Sequence, residues 1–175
     1  KAKLFGGQFN TIKSHVNVGG STQTFGYLME TYIDKTNGFK NIDHAGSNTG
    51  YKKSDYLAKV RFNTPRSFSM PAALEVKYSV TDELSNETYL GLSRSDFLAN
   101  PLRRYAASGI DEMDADHTQT VLTAVVKPLN NMDITAAYYK NNFGRNWYKL
   151  SKAGGSSISS ILMDGNNHTS YSLLS

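Results

Sequence analysis

Apolar and polar side chains alternate with a period of two in segment after segment of this chain, and that pattern commits it to β-strands with two chemically different faces. Between residues 55 and 63, Tyr56, Ala58, Val60 and Phe62 point one way while Asp55, Lys59, Arg61 and Asn63 point the other. Only Leu57 breaks the polar row. In the next segment Leu74, Val76, Tyr78 and Val80 oppose Ala73, Glu75, Lys77 and Ser79. Upstream, Phe25, Tyr27, Met29, Thr31 and Ile33 oppose Gly26, Leu28, Glu30 and Tyr32, and Ile12, Val16 and Val18 oppose Lys13, His15 and Asn17. A soluble β-sandwich alternates in the same way, so the period alone leaves open whether the apolar face meets lipid or a second sheet.

Composition bears on that choice. The chain has 175 residues, with 39% hydrophobic residues, 11 Tyr and 8 Phe, and its mean hydropathy is negative. A soluble all-β domain concentrates more Val, Ile and Leu into a sealed core, whereas a barrel with a wet interior needs apolar residues on its outer face alone. No run approaches the ~18–20 apolar residues of a membrane helix, so any bilayer crossing must use strands, closed so that no edge stays unpaired. With no cysteine there is neither a disulfide framework nor a thiolate metal site. The net charge of +4 is spread along alternating segments, which argues against a nucleic-acid groove. Lys1 opens a Gly-rich segment with no apolar leader behind it, so a signal peptide has been removed or the chain is an internal piece of something longer.

Turn chemistry orders the segments. Short polar stretches at 19–22, 64–67 with Pro71, and 128–133 read as tight connections. Longer excursions fall at 37–51, at 85 to about 116, and after Lys152. Short turns on one rim and long loops on the other are the habit of outer-membrane barrels. Strands are expected at 8–18, 24–36, 52–63, 73–84, 117–127 and 134–150, with a seventh near 170–174. Six or seven is too few to close such a barrel, so the chain reads as an arc unless its first residues or its tail add a strand.

In the second long excursion, Ser85-Asn86-Glu87-Thr88-Tyr89-Leu90-Gly91-Leu92 is followed by Asp96-Phe97, Asn100-Pro101 and Arg103-Arg104-Tyr105-Ala106-Ala107-Ser108. This run resembles a segment of TonB-dependent outer-membrane receptors, in particular the ferric dicitrate receptor subfamily. Thr36-Asn37-Gly38-Phe39-Lys40, Thr49-Gly50-Tyr51 with Asp55, and Phe143-Gly144-Arg145-Asn146-Trp147-Tyr148-Lys149-Leu150 resemble the same family in the same order, so the likeness spans about residues 5–150. It implies that residues 1–175 are part of a 22-stranded transmembrane β-barrel in the bacterial outer membrane. The implied function is TonB-dependent uptake of an iron chelate, ferric citrate-like, by a transport receptor and not an enzyme. The implied partners are the ferric chelate, outer-membrane lipid, and TonB through a plug domain. The chain departs from the family by lacking the plug, the coupling motif and the remaining strands. The iron chelate is transported substrate, and no cofactor is implied.

An anionic chelate is best held by Arg, whose guanidinium fork matches carboxylates and keeps its charge, with Tyr or Asn donors beside it. The candidates are Arg94, Arg103, Arg104 and Tyr105 in the second long loop, and Arg145 and Tyr148, with Trp147, at the end of the last strand. Their alternative roles are loop packing and, for the aromatics, the interfacial girdle. Other chemistry is not marked out. His15, His44, His117 and His168 lie in four separate segments without metal-ligand spacing. Asp111, Glu112, Asp114 and Asp116 lack the Gly and terminal Glu of a calcium loop and read as a solvated acidic loop. No Gly-x-Ser-x-Gly elbow is present, and Gly6-Gly7 and Gly19-Gly20 precede strands, where they cannot cradle phosphate. Asn167-His168-Thr169 matches a glycosylation pattern that has no meaning in a bacterial setting, and 153–167 reads as a mobile loop. Two other functions fit the alternation: a passive porin-type wall, and a soluble β-domain that binds carbohydrate or protein.

Overall fold

A computed structural model describes residues 1–44 and 48–150, together with the backbone of 152–153 and 156–157. The chain is all-β, 65% strand, and its main feature is one antiparallel meander of seven strands. These are β1 (Ala2–Gly7), β2 (Thr11–Ser21), β3 (Phe25–Thr36), β4 (Tyr51–Asn63), β5 (Ala72–Asn86), β6 (Glu112–Leu129) and β7 (Met132–Tyr148). Each strand pairs with its sequence neighbours, so β1 and β7 are the two edges. A two-residue ladder, Lys152–Ala153 against Ser156–Ser157, follows the sheet.

Register carries the alternation across the sheet, because directly opposed residues share a face. One row runs Gly20, Tyr27, Val60, Val76, Leu122, Tyr138, and the next Val18, Met29, Ala58, Tyr78, Thr120, Lys140. Farther toward the long loops, the same face carries Val16, Thr31, Tyr56, Val80, Thr118 and Asn142, and then Lys35, Lys52 and Asp114. The apolar residues therefore form a belt toward the short-turn end. On β5 it runs from Ala72 to Val80, about 27 Å along the strand, matching the ~9–11 residues that a tilted strand needs to cross a hydrocarbon core. Phe25 and Phe62 close the belt at the short-turn side, with ring centroids 5.2 Å apart. On β7 the belt narrows, since Lys140 and Asn142 stand on this face there.

The opposite face is ionic. Its rows include His15, Tyr32, Asp55, Thr81 and His117, and Lys13, Asp34, Lys53, Glu83 and Arg145. Neighbours on it pair: Lys13 with Asp34 at 2.8 Å, His15 with Glu30 at 3.1 Å, and Lys59 with Glu75 at 3.8 Å. The apolar face is the barer of the two. Met29, Leu74 and Tyr78 are 56%, 46% and 48% exposed, whereas Leu28, Glu75, Lys77 and Ser79 are half-buried.

Several boundaries differ from the sequence expectation. The extra strand comes from the first residues, β1, while the strand expected near 170–174 lies outside the described residues. Gly6-Gly7 ends β1, and Gly19-Gly20 lies inside β2, so the tight connection is at 22–24. Residues 8–10 form a second tight turn, on the long-loop rim, with Phe9 and Asn10 at φ 58° and 53°. The Phe9 carbonyl there accepts the Asn37 N–H at 2.8 Å, which ties this turn to the neighbouring loop. Glu112, Asp114 and Asp116, expected in a loop, belong to β6, which starts before the belt and runs down into it.

Candidate functional site

The two long loops, 37–50 and 87–111, meet above the sheet. The neck of the first closes where the Thr49 N–H donates to the Asn37 carbonyl at 3.0 Å and Thr49 Oγ1 bridges both backbone groups of Lys40. Glycine is required twice at this neck. Gly38 has φ +75°, and a Cβ on Gly50 falls 1.7 Å from the Thr36 carbonyl oxygen. The loops then join through a short parallel ladder, Asn41–Ile42 against Arg103–Arg104.

Arg103 is the hub of that junction. Its Nε donates to both Asp43 oxygens at 3.0 and 2.8 Å, and its Nη1 to Asp96 Oδ1 at 3.0 Å. The hydrogen bond to Asp43, more than any other effect, raises its pKa above the ordinary value. Asp96 is held by the helix α1 (Arg94–Ala99), whose N-cap Ser93 accepts the Asp96 N–H at 3.2 Å. Tyr105 is 5% exposed; its hydroxyl donates to Asp96 and accepts the Ser93 N–H at 2.9 Å. Leu90, Tyr105 and Ala107 form a small core, joined by Leu92 and Leu150. Asp111, 4% exposed, anchors it by accepting the Tyr89 N–H at 3.0 Å and the Leu150 N–H at 3.2 Å. Arg104 turns back on its own chain, donating to the carbonyls of Pro101 and Arg103. Arg94, at the start of α1, is exposed.

Beside this cap, β7 brings a second group together. Phe143, Arg145 and Trp147 share the ionic face. The Arg145 guanidinium lies 4.1 Å from the Trp147 ring centre, Lys149 Nζ lies 5.1 Å from the same ring, and Tyr89 packs against Trp147 at 5.8 Å. Burial, then the charges of Glu87 and Asp111, raise the Tyr89 pKa, so its phenol stays a neutral donor. Lys40 reaches Thr88 Oγ1 at 2.7 Å, and its pKa is lowered by burial first and by Arg104 second. Among the described residues, neither Arg145 nor Lys149 has a carboxylate within 4.0 Å. Two cations stacked on one indole, with no carboxylate within 4.0 Å among the described residues, are a set of donors that suits an anion.

The six residues singled out by sequence thus separate. Arg103 and Tyr105 hold the loop cap, and Arg104 caps local carbonyls. Arg94 stands exposed on the cap, and Arg145 faces the ionic side. Tyr148 lies on the other face, opposite Glu112, six positions beyond Asn142 at the edge of the apolar belt. Lys149 and Tyr89 were not singled out as contributors, and Asp111, expected in a solvated acidic loop, is instead buried and bonded to backbone N–H groups; the capping pattern at Ser93 and Asp96 was the local signal for the cap's helix. Comparison with protein-family models, with curated proteins and with solved structures finds no match to this chain.

Proposed function

We propose that this chain is part of the wall of an outer-membrane barrel, belonging to a receptor that takes up an iron chelate, ferric citrate-like, with energy delivered through TonB. The observation that carries this reading is the inversion of exposure, in which an apolar belt stands barer than the ionic face behind it. A soluble sandwich needs that belt covered, whereas a bilayer covers it at no cost. The β7 edge supports the same reading. β7 is a long edge strand without proline, and among the described residues no helix covers it; such an edge within lipid must pair onward until the sheet closes. Further strands, up to the 22 of the family that it resembles, complete the barrel.

In this reading the ionic face lines the lumen, the long loops lie outside the cell, and Arg145 with Lys149 meets the anionic chelate on entry. The test has two arms. The protein should require detergent or lipid to stay monodisperse, and a cooperative, detergent-free melt at high concentration overturns the membrane assignment. In cells, Arg145→Ala should lower binding of radiolabelled ferric citrate by about tenfold, the worth of one charge-assisted contact. Uptake that is unchanged in this variant and independent of TonB favours the porin-type wall.

A further inference from the structure

We propose a second ligand site on the outer face, which holds a phosphorylated, multiply acylated lipid of the outer leaflet; this rests on the membrane reading above. Lys35 and Lys52 are directly opposed across β3 and β4 on the apolar face, on the loop side of the belt. Like charges in that position repel, and both side chains are exposed. Among the described residues neither has an ion-pair partner. The outward carboxylates nearest in the register, Asp82, Asp114 and Asp116, lie on β5 and β6, and none pairs with either lysine. A phosphate between the two ammonium groups turns the repulsion into attraction.

The same two strands offer a place for acyl chain. Below the lysines, past Ile33 and Ser54, lies an apolar groove of about 400 Å³ lined by Val16, Val18, Met29, Tyr56, Ala58 and Tyr78. It exists because the small side chain of Ala58 sits in a row between the larger Met29 and Tyr78. Four residues separate Thr31 from Lys35 and Tyr56 from Lys52, about 13 Å along each strand. That spacing lets one molecule place its phosphate on the lysine pair and a hydrocarbon tail in the groove. Its charge and its grease are both matched at the level where a headgroup meets the hydrocarbon.

The test uses the purified full-length protein in dodecyl maltoside, with native mass spectrometry as the readout and lipid A as the probe, against its dephosphorylated form and inorganic phosphate. Wild-type protein should retain lipid A, and K35Q/K52Q should bind it roughly 30-fold more weakly, at the scale of ~1 kcal/mol per lysine near a charged leaflet. Ala58→Leu, which fills the groove, should weaken lipid A while leaving circular dichroism unchanged. Equal retention by K35Q/K52Q, or equal binding of the dephosphorylated lipid, overturns the site. Competition by inorganic phosphate at the concentration of lipid A overturns the lipid as its occupant, and so does a second copy of the chain on this face in place of lipid. If the protein needs no detergent, the membrane reading falls with the site. Loss of lipid binding in K35Q/K52Q, with detergent dependence intact, isolates the lysines.

Discussion

Val76 stands at the midpoint of the outward apolar run on β5, four residues from Ala72 and four from Val80. An arginine there starts about 13 Å along the strand from either margin of the belt, or about 9 Å in height at a 45° tilt. Snorkelling recovers part of that depth, so Val76→Arg should cost about 2–4 kcal/mol in a bilayer. Val80→Arg, at the margin, should cost about 0–1 kcal/mol, and Leu84→Arg, above it on the same face, about nothing. Ser79→Lys, on the ionic face, should stay within about 1 kcal/mol of wild type. The assay is urea unfolding of the full-length protein from phosphatidylcholine vesicles, followed by far-ultraviolet circular dichroism. A cost that follows height and not local contact is the mark of lipid. If Val76→Arg is neutral, or Leu84→Arg costs as much as Val76→Arg, the belt does not face a bilayer and the reasoning fails.

Three further outcomes test the cap. Tyr105→Phe removes a hydroxyl that bonds both Asp96 and the Ser93 N–H, and should loosen residues 87–111 by about 1–3 kcal/mol, read as faster amide exchange there with the sheet unchanged; unaltered exchange refutes the role. Gly50→Ala forces a methyl group onto the Thr36 carbonyl and should cost at least about 2 kcal/mol, seen as new proteolysis in the first long loop. Resistance equal to wild type shows that the neck is not closed as described. Lys40, whose pKa is lowered by burial and Arg104, burdens the folded cap with a charge penalty that is full below its folded pKa. The penalty fades as pH rises toward 10.5, so cap protection should improve in alkali; a Lys40 ¹³Cε titration at or above the ordinary value contradicts this.

The strands within the belt were readable because burial there is decided one face at a time. Leu74 through Val80 could not alternate more plainly. Past the belt both faces carry polar side chains, Lys35, Lys52 and Asp114 on one and Lys13, Asp34 and Glu83 on the other, and the period loses its meaning. This is why Glu112, Asp114 and Asp116 read as loop although they are strand. β1 escaped because six residues ending in Gly6-Gly7 carry too little pattern. The cap was illegible for another reason. Its bonds, Asp43 to Arg103 and Asp111 to Leu150, join residues far apart in sequence, and only the fold decides which arginine meets which carboxylate. Arg145 was singled out because the requirement for an anion donor is chemical, and Lys149, which lies against the same indole, was passed over.

The parallel ladder between Asn41–Ile42 and Arg103–Arg104 fastens two loops that spring from different hairpins. With the Asp43 to Arg103 bridge across it, neither can swing without dragging the other. If these loops frame the mouth of the proposed barrel, that mouth has one leaf instead of two, and a single crosslink or antibody on either loop jams both.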